Sequence, residues 1–127
     1  MANFAEGLYY SQTHEWIRVE GDLASLGISD FAQSELGDLV YAEAVPVGRK
    51  VTKGQAVGAV ESVKMASDIY TPVSGEVVES NATLGDTPEA INEDAFGTVF
   101  VVIRMSDPTE LTGLMDAKAY EAFCIGG

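Results

Sequence analysis

Cysteine and histidine are nearly absent from this chain, with one of each, Cys124 and His14, in 127 residues. A lone thiol closes no intramolecular disulfide, and no CxxC or Cys/His pair stands at zinc-ligand spacing. A histidine triad or multi-histidine metal site would rest on His14 alone. These absences argue against a stand-alone enzyme, and the unpaired thiol fits a reducing compartment. Basic residues are scarce too: seven Lys and Arg face twenty Asp and Glu, for a net charge of −13. A field of that sign repels phosphate backbones and anionic headgroups, so nucleic acid and membrane surface are poor partners and proteins with basic rims are better ones. Long apolar runs are also missing. The longest is Val99 to Ile103, where a membrane helix needs about 20 residues. The start, MANFAEG, has neither a basic n-region nor an Arg-rich amphipathic pattern, so no signal peptide is expected.

What is present is the make-up of one globular domain over 1–127, with 46% hydrophobic and 21% charged residues. Glu15 to Val19, a turn at Glu20-Gly21-Asp22, and Leu23 to Ile28 read as a hairpin. Ser29 or Asp30 caps a brief helix Phe31 to Leu36, which Gly37 stops. A strand Asp38 to Ala44 follows. Gly48, Gly54 and Gly58 then recur among Val47, Val51, Val57 and Val60, as in tightly turned short strands of a sandwich or barrel. Val57 to Val63 and Ile69 to Val73 flank Lys64 almost symmetrically and suggest a hairpin with the lysine at its tip. Its turn, Val63-Lys64-Met65-Ala66, has none of the Gly, Asn or Asp that mark tight turns.

Beyond Gly75, Glu76 to Glu79 reads as a strand, and Thr87 as the cap of a helical turn with Pro88 in first position. Val99 to Met105 reads as a buried strand. The C-terminal segment, about 107–123, is expected to be helical. Asp107 caps, with Pro108 and Glu110 at N1 and N3 and Leu111, Leu114 and Met115 at helical spacing, before a second short helix from Asp116 to Phe123. The class is mainly β with small helices.

Among the seven basic residues, Lys64 alone stands between two apolar strand segments rather than in a polar loop. On position alone it is a solubilising lysine. Its context is Glu61-Ser62-Val63-Lys64-Met65-Ala66-Ser67-Asp68, followed by Thr71-Pro72-Val73-Ser74-Gly75-Glu76-Val77-Val78-Glu79. That segment closely resembles the lipoylation segment of the H-proteins of the glycine cleavage system. The resemblance runs through Thr13-His14-Glu15-Trp16, Gly27 to Gln33, Gly37 to Tyr41, Asn92-Glu93-Asp94, Ser106 to Leu111 and Ala119 to Phe123. The chain departs from the family pattern at Ala44-Val45-Pro46 and at Ala95 to Phe100.

The resemblance implies a lipoyl/biotinyl-type β-sandwich, or hammerhead barrel, with short peripheral helices, a C-terminal helix and a hairpin core at about 37–80. It implies lipoate in amide linkage on Lys64, and a carrier rather than a catalyst. The pyridoxal-phosphate glycine decarboxylase (P-protein) would load an aminomethyl group on the arm. The T-protein would release ammonia and pass the one-carbon unit to tetrahydrofolate, and dihydrolipoamide dehydrogenase would reoxidise the dithiol. Glu61 and Gly48 match the features by which the lipoate-attaching enzyme knows its target, against plainer readings as an exposed carboxylate and a turn glycine. Thr13, Glu15 and Asp68 match the polar lining of the cleft in which the loaded arm lodges, where a carboxylate complements the cationic amine. His14 reads as a structural histidine, Trp16 as core and Cys124 as a helix residue.

Three further readings stand beside this one: an H-like relay that hands lipoate to other enzymes, a biotinyl carrier, and an interaction module whose Lys64 is never modified. Val63 disfavours biotin, whose carriers place methionines on both sides of the lysine while only Met65 is present here. A monomer in the bacterial cytoplasm is expected, or the mitochondrial matrix if a presequence has been trimmed.

Overall fold

The structure, a computed structural model, describes residues 2–126. In chain order its strands are β1 (Tyr9–Tyr10), β2 (Glu15–Glu20), β3 (Leu23–Ile28), β4 (Leu39–Ala44), β5 (Lys50–Val51), β6 (Ala56–Ser62), β7 (Ala66–Tyr70), β8 (Gly75–Ser80) and β9 (Val101–Met105). The helices are α1 (Asp30–Leu36), α2 (Glu89–Glu93) and α3 (Ala117–Gly126). All strand pairs are antiparallel and form two sheets, one ordered β1-β2-β3-β9-β8-β5 and the other β4-β6-β7.

Alternation in the strands decides which face is buried. Ile17, Leu26, Val77 and Ile103 of the larger sheet share one core with Val57, Val60 and Ile69 of the smaller. Phe100 and Val73 fill between them, fully buried. Each such side chain contributes about 1.5–3 kcal/mol by leaving water. The fold is therefore a β-sandwich with peripheral helices, as expected, but the ladders end at β1 and β5 in one sheet and at β4 and β7 in the other. The two sheets do not close into the hammerhead barrel that the resemblance also suggested.

A second apolar cluster joins the two ends of the chain. Tyr10 of β1 stacks on Tyr120 of α3 with ring centroids 4.4 Å apart, and Trp16, fully buried, packs in the same cluster. The Trp16 indole N–H donates to Ala95 O at 3.1 Å. Arg18 lies 4.8 Å over the Trp16 ring and donates to Phe96 O at 2.9 Å. The segment at 95–100, which departs from the family pattern, thus packs through its backbone against this tryptophan and arginine.

The β2–β3 hairpin, α1 and β4 lie where the sequence places them, and Ser29 is the cap, its Oγ accepting from Ala32 N at 3.1 Å. Three expectations are corrected. The strand after the lysine is Ala66–Tyr70, not Ile69 to Val73, because the Thr71 hydroxyl donates to Val73 O and accepts from Val73 N, folding that stretch into a turn. Thr87 does not cap α2: its hydroxyl donates backward to Thr83 O, and Pro88 holds the cap position. The helix expected from Asp107 to Met115 is a 3-10 turn, Pro108–Gly113. Asp107 does cap it, accepting from Thr109 N, but the Glu110 carboxylate leaves the helix to accept from Ser74 N and Oγ at 2.7 and 2.8 Å. Met115 is instead extended, exchanging two backbone hydrogen bonds with Tyr10.

Candidate functional site

The β6–β7 hairpin presents Lys64 at its apex. Ser62 N donates to Met65 O at 2.8 Å, and Ser62 Oγ accepts from Lys64 N at 3.1 Å and Met65 N at 3.2 Å. One serine side chain therefore supplies the turn chemistry that the absence of Gly, Asn and Asp left unexplained. Val63 and Met65, 79% and 52% exposed, project on either side of the lysine. The stem of Lys64 crosses Gly37, where a Cβ would stand 3.2 Å from Lys64 Cε, and its ammonium donates to Glu35 O at 3.1 Å.

Acids line the exposed face of the hairpin that carries Lys64. In register across the smaller sheet lie Tyr41, Glu61 and Ala66, and next to them Glu43, Ala59 and Asp68, so Glu43, Glu61 and Asp68 share its exposed face. Glu61 is thus on the tip-proximal row. Gly48 is not brought to the tip. It lies beyond Ala44, the end of β4 that pairs with Gly58, whereas Leu39 at the other end pairs with Ser62. Its φ of 96°, which favours glycine, lets its N–H reach Val77 O at 2.8 Å.

Beside the tip a recess of about 240 Å³ opens between the β1–β2 turn, α1 and β7. Its polar lining is Thr13, His14, Glu35, Ser67 and Asp68. Phe31, Leu36 and Ile69 give it an apolar wall. Thr13 and Asp68 therefore line one recess. Glu15 does not line this recess. It is 1% exposed and lies behind Thr13, its carboxylate accepting from the Ser11 and Thr13 hydroxyls and, at 3.1 Å, from Tyr70 N. Burial pushes the Glu15 carboxyl above its ordinary pKa, and these donors oppose the shift. An adjoining hollow of about 520 Å³ borders Thr13, Glu15, Lys53 and Tyr70, so Thr13 divides the two spaces.

Sequence reasoning missed the contribution of α1. Phe31, Ala32, Glu35 and Leu36 lie at i, i+1, i+4 and i+5, one face of a helix, and that spacing was the available signal. His14 is structural in that its Nδ1 lies 2.7 Å from Tyr120 OH, yet it also lines the recess. Trp16 is core and Cys124 a partly buried α3 residue, both as expected. Among the described residues no cluster of three or more His, Cys, Asp or Glu is placed to hold a metal ion, and no helix is long and apolar enough to cross a membrane.

An exposed lysine on a rigid hairpin beside a small amphipathic recess suits a covalent carrier better than a catalytic centre. Comparison with known proteins gives the same answer. The family model described as "Glycine cleavage H-protein" matches residues 8–126. A glycine cleavage system H protein of Symbiobacterium thermophilum is 49% identical over 124 residues, covering 97% of each chain. One from Thermoanaerobacter sp. (strain X514) is 48% identical over 118 residues, 93% of this chain and 94% of the relative. The crystal structure of a glycine cleavage system H protein from Mycobacterium marinum superposes with a TM-score of 0.85 at 32% identity, covering 97% of this chain and 99% of that one. With nearly the full length matched, this chain belongs to the glycine cleavage H-protein family, the lipoyl-carrying shuttles of glycine cleavage.

Proposed function

We propose that Lys64 is the lipoyl attachment site and that the chain carries an aminomethyl group from the P-protein to the T-protein, with dihydrolipoamide dehydrogenase as the third partner. The observation that carries this reading is the placement of Lys64: an exposed amine on an apex closed by Ser62, next to a recess with Asp68 and Thr13 in its wall. The residues present fit such a group, since among the described residues the amine is held by the Glu35 carbonyl alone and half of the neighbouring recess wall is apolar. When bound, lipoate supplies a dithiolane that accepts the cargo on sulfur and is returned to the disulfide by oxidation.

This chain's own residues orient and shelter. Ser62 holds the apex so that the lysine backbone does not move with the arm. Asp68 presents a carboxylate to a cationic amine, Thr13 a hydroxyl that Glu15 orients from behind, and Phe31, Leu36 and Ile69 exclude water on one side. Glu61, on the same exposed row as Tyr41, is available to the lipoate-attaching enzyme, and Gly48 supports recognition by fixing the loop after β4. Lysine suits acylation, but its ordinary pKa near 10.4 requires the attaching enzyme to supply the base and the activated acyl donor. The chain itself is a carrier, expected to work as a monomer, and its bacterial relatives support a place in the bacterial cytoplasm.

The intact mass of natively expressed protein tests the assignment. One lipoyl addition on wild type and none on Lys64→Arg is expected. Modification of the arginine variant, or a wild type that stays unmodified beside an active lipoate ligase, overturns it.

A further inference from the structure

The recess has two walls that are distant in sequence. Thr13 and His14 come from the β1–β2 turn, and Phe31, Glu35 and Leu36 from α1. Among the described residues the backbone link at this point is Ser29 N donating to His14 O at 2.9 Å. A side chain from the other end of the chain completes the joint. Tyr120 of α3, fully buried, places its phenol oxygen 2.7 Å from His14 Nδ1 and 2.7 Å from Ser29 Oγ.

We infer that Tyr120 is a positioning residue for the lodged arm, its hydroxyl pinning the His14 wall of the recess to the N-cap of α1. This rests on the reading that the recess lodges the arm. Counting protons favours one direction for the relay. Ser29 Oγ already accepts from Ala32 N, so its own proton is free to go to the Tyr120 oxygen. The phenol proton then goes to His14 Nδ1. In that arrangement Ser29 Oγ, the phenol and His14 Nδ1 are each satisfied, whereas the reverse direction leaves the Ser29 proton without an acceptor in this cluster. The result is a neutral imidazole with its proton on Nε2.

The surroundings favour that state. Burial lowers the His14 pKa, with the Glu35 charge opposing, and burial raises that of Tyr120. The groups facing His14 are Glu35 of α1 and Tyr120 of α3, with Asp68 of β7 sharing the recess and Cys124 of α3 beside the phenol. His14 also sits at φ 75°, the left-handed region, as a non-glycine residue. Its ring is held there by Phe31 and Phe123, with centroids 5.3 and 5.9 Å away. A backbone so placed needs its neighbours to hold it, and the Tyr120 hydroxyl is the polar part of that hold.

Tyr120→Phe separates this role from packing, because the stack on Tyr10 and the edge contact with Phe4 remain while the hydroxyl goes. In the unmodified protein, nitrogen NMR should show His14 as the Nε2–H tautomer in wild type and as a tautomer mixture in Tyr120→Phe. In lipoylated protein loaded with glycine by the decarboxylase, loss of ammonia and formaldehyde should be several-fold faster in Tyr120→Phe, with lipoyl occupancy by mass unchanged. Ser29→Ala should behave likewise and Ser29→Thr should restore slow loss, which keeps the test intact if Tyr120→Phe folds poorly. An unchanged tautomer, or wild-type loss from both Tyr120→Phe and Ser29→Ala while Asp68→Asn accelerates it, overturns the inference and leaves the lodging recess standing. Wild-type loss from Asp68→Asn as well overturns the recess reading itself.

Discussion

The ammonium of Lys64 donates to the backbone carbonyl of Glu35 at 3.1 Å, so the unmodified lysine satisfies one of the carbonyls that the last turn of α1 leaves open. The cation also stands at the negative end of that short helix. Acylation removes the charge, and this contact is accordingly a property of the unmodified protein.

Gly37 permits the crossing. Its φ of 83° and ψ of −163° fall in a region essentially reserved for glycine. Gly37→Ala should cost about 1–3 kcal/mol, read as a lower urea midpoint. Because the strain is in the backbone, adding Lys64→Ala should recover little of it. Full recovery would show that the clash with Lys64, rather than φ, sets the cost.

Glu15 should make stability depend on pH in the direction opposite to an ion-paired carboxylate. Its folded pKa is raised by burial, so the folded state holds the proton more tightly than the unfolded one. The stabilising contribution is fully present below the ordinary value near 4.5 and is lost as pH rises through the folded value. Glu15→Gln keeps the shape without the charge. The stability of Glu15→Gln relative to wild type should grow from about pH 4.5 upward and then level off. A difference that is flat with pH would mean that Glu15 does not titrate differently on folding.

Asp68 and Glu15 should differ in their effect on the lodged arm. Asp68 lines the recess and is exposed, where a charge-assisted contact is worth about 0.4–1 kcal/mol. Asp68→Asn should therefore speed loss of ammonia from the loaded protein about two- to five-fold. Glu15 reaches the recess only through the Thr13 hydroxyl, so Glu15→Gln should act less, and Thr13→Val should match it. An effect of Glu15→Gln larger than that of Asp68→Asn would place the cargo in the hollow on the other side of Thr13.

A net charge of −13 and the shared face of Glu43, Glu61 and Asp68 should steer encounters with basic partner surfaces. The on-rate for the decarboxylase should fall about ten-fold between low and physiological salt. Reversing charges on this face should slow association more than reversing Glu121 on α3. A salt-independent on-rate would remove electrostatic steering from the account.

Much of this was legible because local chemistry and tertiary placement agree. Ser29 before an apolar run, Gly37 after it and the Gly21 turn between β2 and β3 each have one good local solution, and the structure uses it. The failures in the C-terminal segment fall where a group takes a distant partner. Glu110 leaves its own helix for Ser74, and Met115 leaves a helical pattern to pair with Tyr10. The same holds at the site. Lys64 was legible from its motif, but the recess is built by residues 13, 31, 35 and 68, whose meeting depends on the packing of a turn, a helix and a strand. Gly48 and Glu61 were read together, yet the register of β4 on β6 puts them toward opposite ends of the ladder.

The hydrogen bonds made by Ser62 have a further consequence for how the cargo is shared out. An apex that does not wander confines a tethered group to the sphere swept by one side chain, and short tethers give effective concentrations on the order of millimolar. A recess whose intrinsic dissociation constant is also about millimolar would then be occupied roughly half the time. The weak, partly exposed lining found here suits that balance, in which sheltering and hand-over compete on even terms.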